Sequence, residues 1–113
     1  MGPFTAGQIV LLKFPYSDLS GSKLRPVLLL ADTGSSDWIT CQITSNPYRD
    51  VYALRLDQSH FKSGSLQRVS YVRPNKFFTA DESLILSVSG AVLDEFLERV
   101  RDSAVAAIRE VLP

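Results

Sequence analysis

The sequence predicts a mainly β protein: a small antiparallel barrel with one helix packed on it from the C-terminal end. Three observations lead there. Short apolar or alternating runs, separated by clusters of Gly, Pro, Asn, Asp and Ser, fill most of the chain. The period then changes, because Leu93, Leu97, Val100, Ala104, Ile108 and Val111 recur at steps of three and four. Finally, 113 residues of which 45% are hydrophobic suit one core, so residues 1–113 are expected to form a single domain.

Each element follows from its residues. Gln8–Phe14 is rich in Ile, Val and Leu and reads as a strand. Pro15–Lys23 is a polar loop of turn formers. Pro26–Ala31 is continuously apolar, as a strand covered on both faces should be. Trp38–Thr44 alternates, with Ile39, Cys41 and Ile43 on one face and Trp38, Thr40, Gln42 and Thr44 on the other. After a loop marked by Asn46-Pro47, Val51–Leu56 reads as a fourth strand and Asp57–Gln67 as a long loop. Arg68–Arg73 is a β-branched and aromatic strand that Pro74 should stop. Leu84–Val88 is short and apolar enough for a sixth strand. The helix should run from about Asp94 to Leu112, with Asp94 as its cap and Glu95 at the positive end of its dipole.

The counts exclude several chemistries. One cysteine, Cys41, cannot form an intrachain disulfide. With the single histidine, His60, it cannot build a zinc site of Cys and His alone, nor can one histidine make a two-histidine ribonuclease. No GxGxxG, Walker A or GxSxG stretch occurs. No metal and no cofactor is therefore expected. The longest apolar run, Pro26–Ala31, is far below the roughly 18 residues of a membrane span. Met1–Ala6 lacks the features of a secretory leader, so a cytoplasmic location is expected, without membrane association. Net charge is zero but unevenly placed: residues 1–80 carry +4 and residues 81–113 carry −4. The first part is suited to face an anion.

Four segments in order resemble the MazF/PemK family of toxin endoribonucleases. They are GQIVLLKFPYSDLSGSKLRPVLLL at 7–30, CQITS at 41–45, SYVRPNKFFT at 70–79, and an acidic-headed C-terminal helix. The resemblance implies an SH3-like barrel with a C-terminal helix, shared with CcdB-type toxins. It also implies a metal-independent, sequence-specific endonuclease for single-stranded RNA, messenger RNA above all. A homodimer and a neutralising antitoxin with an acidic, disordered segment are implied as well.

Such cleavage needs little machinery. The 2′-OH of the substrate attacks the adjacent phosphorus and leaves a 2′,3′-cyclic phosphate and a 5′-OH. The protein must hold the phosphate in line, stabilise its growing charge and move two protons. By resemblance, Arg25 and Thr44 match the catalytic arginine and the phosphate-contacting threonine. Arg25 suits charge stabilisation, since its planar fork matches phosphate oxygens, while an arginine is a poor base at neutral pH. Read without the resemblance, Arg25 is an exposed strand-start arginine and Thr44 a β-former at a strand end. Tyr16 and Ser17 resemble the first loop that lies over RNA in the family, where Tyr16 can stack on a splayed base. Lys23 and Ser45 would contribute phosphate contacts or donors. Arg73 and Asn75 match a PemK-branch pair near the site, but the acid of that pair is an amide here. A solitary ion-pair role, with helix carboxylates such as Asp94 or Glu98, is the alternative for Arg73. His60 matches no family catalytic position, and Cys41 reads as an inert core thiol. Trp38, Phe77 and Phe78 read as core or dimer-interface residues. The rival function on the same fold is a non-catalytic binder: a CcdB-like gyrase-binding toxin, or an inactive family member that binds RNA or antitoxin. The chain ends Val111-Leu112-Pro113 without the terminal tryptophan of the CcdB type.

Overall fold

A computed structural model describes residues 3–15 and 22–112. Its strands are β1 (Gln8–Pro15), β2 (Ser22–Asp32), β3 (Asp37–Thr44), β4 (Leu54–Leu56), β5 (Phe61–Gly64), β6 (Ser70–Asp81) and β7 (Ile85–Val92), followed by the helix α1 (Asp94–Ile108). Every strand pairing is antiparallel. The strands form one curled sheet, a half-barrel, in the order β4-β6-β3-β2-β1-β7-β5. The short strands β4 and β5 are its two edges, which limits the unpaired backbone the sheet exposes.

The central strand β2 is covered on both faces, as its unbroken apolar run requires. Leu28 and Leu30 join Ile9, Cys41, Ile43 and Val72 beneath α1, whose Phe96, Leu97 and Val100 close that side. Val27 and Leu29 face the other way, against Val10, Leu12, Trp38 and Ala80. Each fully buried side chain of this size contributes about 1.5–3 kcal/mol by leaving water. Trp38 is buried within the chain, with its indole N–H donating to Glu82 at 3.2 Å, while Phe78 is half-buried beside it and Phe77 is exposed. Burial raises the Cys41 thiol far above its ordinary pKa, so it stays protonated.

A bulge in β2 ties the helix to the sheet. The β2–β3 register skips between Leu29 and Ala31. The Leu30 carbonyl accepts two bonds from the Arg101 guanidinium, at 3.1 and 2.8 Å.

Several elements depart from the sequence reading for identifiable reasons. Pro74 does not stop its strand. β6 continues to Asp81, because Gln42 pairs with Arg73 while the adjacent Cys41 pairs with Phe77. Residues 74–76 thus bulge out of the ladder, where a missing N–H costs nothing. Val51 and Tyr52 do not enter a strand, since the Asp50 carboxylate accepts the Tyr52 N–H at 2.9 Å and the backbone turns there. The 57–67 stretch is not all loop. Asp57 caps a 3₁₀ turn at Gln58–His60, and β5 follows. Gly64 is obligatory, for a Cβ there would run into the Ser89 carbonyl. The helix starts one residue earlier in its capping frame than expected: Leu93 occupies the cap position and Asp94 instead binds Lys62 at 3.0 Å. It stops at Ile108 because Glu110 turns left-handed, which lets the Val111 and Glu110 N–H groups bond back to Ala106 and Ala107. Ile108 and Val111, periodic in sequence, are therefore exposed.

Candidate functional site

The two strands that carry Arg25 and Thr44 separate just where those residues lie. The β2–β3 ladder ends at Val27 opposite Gln42. Continuing that register by two residues would set Arg25 against Thr44, but no such pair forms. The backbones diverge instead, and a cleft of about 570 Å³ opens between them. Lys23, Arg25 and Pro26 line it from β2, and Ile43, Thr44 and Ser45 from the end of β3. Arg25 precedes a proline, which restricts its backbone to extended conformations and fixes where its side chain leaves the strand.

The far wall comes from the segment between β5 and β6, with Ser65, Leu66, Gln67 and Arg68. The lining thus holds the cations Lys23, Arg25 and Arg68 and no Asp or Glu among the described residues. Among those residues, none of the three cations makes an ion pair. A concave surface with unneutralised cations is an anion site by elementary electrostatics. Thr44 supplies a hydroxyl at its edge. Its Oγ1 accepts the Asn46 N–H at 3.2 Å and donates to the Asn46 carbonyl at 3.2 Å, so the turn after β3 holds it in place.

Arg73 and Asn75 do not line this cleft. The Arg73 guanidinium pairs with Asp50 at 2.7 Å, where its side chain is 15% exposed and that of Asp50 only 3%. It also lies over the Tyr48 ring, 5.9 Å from the centroid. The partner of Arg73 is thus a loop aspartate, not a helix carboxylate. Asn75 is exposed in the β6 bulge. Tyr16 and Ser17 lie outside the described residues. His60 stands elsewhere, stacked on Phe96 with ring centroids 4.6 Å apart, and its Nδ1 accepts the Asp57 N–H. No group of three His, Cys, Asp or Glu side chains among the described residues is placed to hold a metal ion. No helix among them is long and apolar enough to cross a membrane.

The far wall is what the sequence reading missed. Gln67 closes the stretch read as a long loop, and Arg68 opens the next strand reading. The usable signal was Gly64 followed by exposed polar residues, since a glycine forced by close packing anchors the segment after it.

Comparisons with known proteins place the fold that carries this cleft. The family model of PemK-like, MazF-like toxins of type II toxin–antitoxin systems matches residues 5–112. No curated protein matches the chain. Among solved structures, a MazE–MazF complex from Deinococcus radiodurans superposes with a TM-score of 0.75 at 18% identity, covering 96% of this chain and 98% of that one. MazF alone from the same organism gives 0.73 at 19% identity, covering 94% and 96%. An endoribonuclease bound to its cognate antitoxin, from a mycobacterial species, gives 0.74 at 13% identity, covering 97% and 99%.

Proposed function

Since the chain belongs to the PemK-like, MazF-like toxins of type II toxin–antitoxin systems, a family known as endoribonucleases, we propose that it is a sequence-specific, metal-independent nuclease for single-stranded RNA. One observation supports this above the rest: Arg25 and Thr44 face each other across diverging strand ends, in a cleft lined by three cations that have no ion-pair partner, and no carboxylate, among the described residues.

The residues divide the work by chemistry. The scissile phosphate sits between Arg25 and Thr44. The substrate's 2′-oxygen bonds to phosphorus, the bond from phosphorus to the 5′-oxygen breaks, and the products are a 2′,3′-cyclic phosphate and a 5′-OH. One proton leaves the 2′-OH and one arrives at the 5′-oxygen. The Arg25 guanidinium stabilises the added negative charge on the non-bridging oxygens. Thr44 turns its hydroxyl from the Asn46 carbonyl to donate a neutral hydrogen bond to one of them. Lys23 and Ser45 hold flanking phosphates, which bind without reading sequence. Tyr16 and Ser17 complete the RNA surface from the first loop. Arg73 serves this surface at one remove, through Asp50 and the loop that follows Thr44, and Asn75, exposed in the β6 bulge, offers its amide to RNA outside the cleft.

The neighbouring complexes contain antitoxins, and a basic cleft is complementary to an acidic, disordered antitoxin segment. A homodimer is the expected assembly. With Trp38 buried in the chain, exposed Phe77 and the β7 side chains Leu86 and Val88 are what a second copy would cover.

The test is a single atom. RNA carrying one 2′-deoxy sugar on the 5′ side of the cut should bind like the parent strand and resist cleavage. The all-RNA strand should be cut in excess EDTA to a 2′,3′-cyclic phosphate. Cutting of the deoxy strand, or complete inhibition by EDTA, overturns the mechanism.

A further inference from the structure

A second, smaller depression of about 160 Å³ adjoins the cleft. Leu66, Gln67 and Arg68 line both, so they form a ridge with the cationic cleft on one side and the smaller depression on the other. The two sides differ in charge. Across the ridge stand Phe61 and Val69, with the polar groups of Asp57 and Gln58. A carboxylate there repels phosphate, so a strand held in the cleft would turn a base, not its backbone, over the ridge.

Hydrogen bonding inside the depression decides which base edge suits it. Asp57 Oδ1 accepts from the Ser59 N–H at 3.0 Å and the Ser59 hydroxyl at 2.6 Å, while Oδ2 lies 3.4 Å from Arg55 Nε. Those bonds from Ser59, foremost, hold the Asp57 carboxyl below its ordinary pKa, so it is an acceptor at neutral pH. The two Ser59 bonds occupy both lone pairs of Oδ1, so Oδ2 is the carboxylate oxygen that retains a further lone pair. Gln58 spends one amide N–H on the Gly64 carbonyl at 3.1 Å, which orients the amide and leaves its Oε1 as a second acceptor. The Gln67 amide makes no hydrogen bond among the described residues. Acceptors beside apolar Phe61 and Val69 match a flat ring bearing an exocyclic amine.

Resting on the nuclease reading above, we propose that this depression is a base-selecting subsite that takes an amine-bearing base next to the cut phosphate and rejects uracil. Cytosine, adenine and guanine each present an exocyclic N–H₂ group to Asp57 and Gln58, whereas uracil carries carbonyl oxygens in place of an amine and keeps the ring N3–H as its one edge donor. Arg68, at the ridge, holds the phosphate that joins that base to the scissile one.

Two randomised pools test this with the parent, Asp57→Asn and Val69→Phe. One pool is RNA, cut in EDTA and mapped at its ends. The other carries 2′-fluoro sugars, which cannot attack, and its bound fraction is sequenced. Asparagine still caps the 3₁₀ turn but offers a donor to uracil. Val69 is 41% exposed, so phenylalanine there fills the depression without entering the core. The parent should deplete uracil about tenfold at one position beside the cut, and at one position in the bound pool. Asp57→Asn should bring uracil within about threefold of the other bases there, and Val69→Phe should flatten the position altogether. Unchanged depletion in both variants, or no depletion in the parent, overturns the subsite. If the parent leaves RNA uncut yet still selects against uracil in the fluoro pool, the nuclease reading falls and the subsite stands.

Discussion

The dipeptide Arg-Pro occurs twice in this chain, and its two arginines have opposite surroundings. Arg25-Pro26 lies in β2 within the sheet, Pro26 paired with Leu11. Its guanidinium is exposed in a cleft whose described lining has no carboxylate. Arg73-Pro74 lies where β6 begins to bulge. Its guanidinium is nearly buried against Asp50 and covered by Tyr48. Proline extends the backbone of both arginines equally. What separates them is the turn opposite. The loop after β3 brings Asp50 back to Arg73, whereas β2 and β3 diverge beside Arg25 and bring it no carboxylate among the described residues. An arginine left unneutralised in a concavity is available to a phosphate, and one paired in the interior holds a loop.

The largest effect should come from breaking the paired arginine. Arg73→Ala leaves Asp50 buried without its cation and should destabilise the fold by about 3–5 kcal/mol, read from denaturant midpoints. Adding Asp50→Asn should recover a substantial part of that loss. If the double variant is as unstable as the sum of the two singles, Arg73 and Asp50 do not act as a pair.

Arg25→Ala should invert that pattern. Cleavage should fall by about 10²–10³, the scale of one lost transition-state donor, while the denaturant midpoint stays within error of the parent. A variant that cuts at the parent rate would remove Arg25 from the chemistry. Thr44→Val keeps the shape and removes one neutral donor, so a loss of about tenfold or less is expected in single-turnover cleavage. A loss as large as that of Arg25→Ala would make the hydroxyl more than an auxiliary.

The smallest effect concerns acid. Asp81 and Asp57 lie outside both arginine sites, and backbone and hydroxyl donors of Ser83 and Ser59 hold their carboxyls below the ordinary value. A carboxyl that ionises more readily folded than unfolded adds stability above the unfolded pKa and loses it as pH falls through the folded one. Below about pH 4, Asp81→Ala should therefore show a shallower loss of melting temperature than the parent. An identical acid limb would show that the Ser83 bonds do not matter to folding.

Most of the architecture was legible because it rests on period. β2, β3 and the buried face of α1 are set by apolar spacing, which is local. The errors cluster where one distant partner overrules local preference. Pro74 looked like a stop because nothing in its neighbourhood announces that Cys41 would skip to Phe77. Tyr52 looked like a strand residue until Asp50 captured its N–H. The candidate site divides the same way. Arg25, Thr44, Lys23 and Ser45 meet at one cleft, as a motif that spans two adjacent strand ends can foretell. Arg68 and Gln67 arrive from the segment between β5 and β6, and the Asp50 partner of Arg73 comes through a turn. Those contacts are tertiary, and no spacing rule encodes them.

The Arg101 bridge to the Leu30 carbonyl also bears on the order of events during translation. All seven described strands leave the ribosome before Phe96, Leu97, Val100 and Arg101. Until then the face of β2 beneath the helix is open and the bulged carbonyl has no guanidinium. A nascent chain that stops short of α1 carries every cleft residue yet lacks the support that fixes β2 against β3. Growth of the polypeptide past residue 101 thus acts as a timer, and a truncated or stalled product should be unable to assemble the cationic cleft.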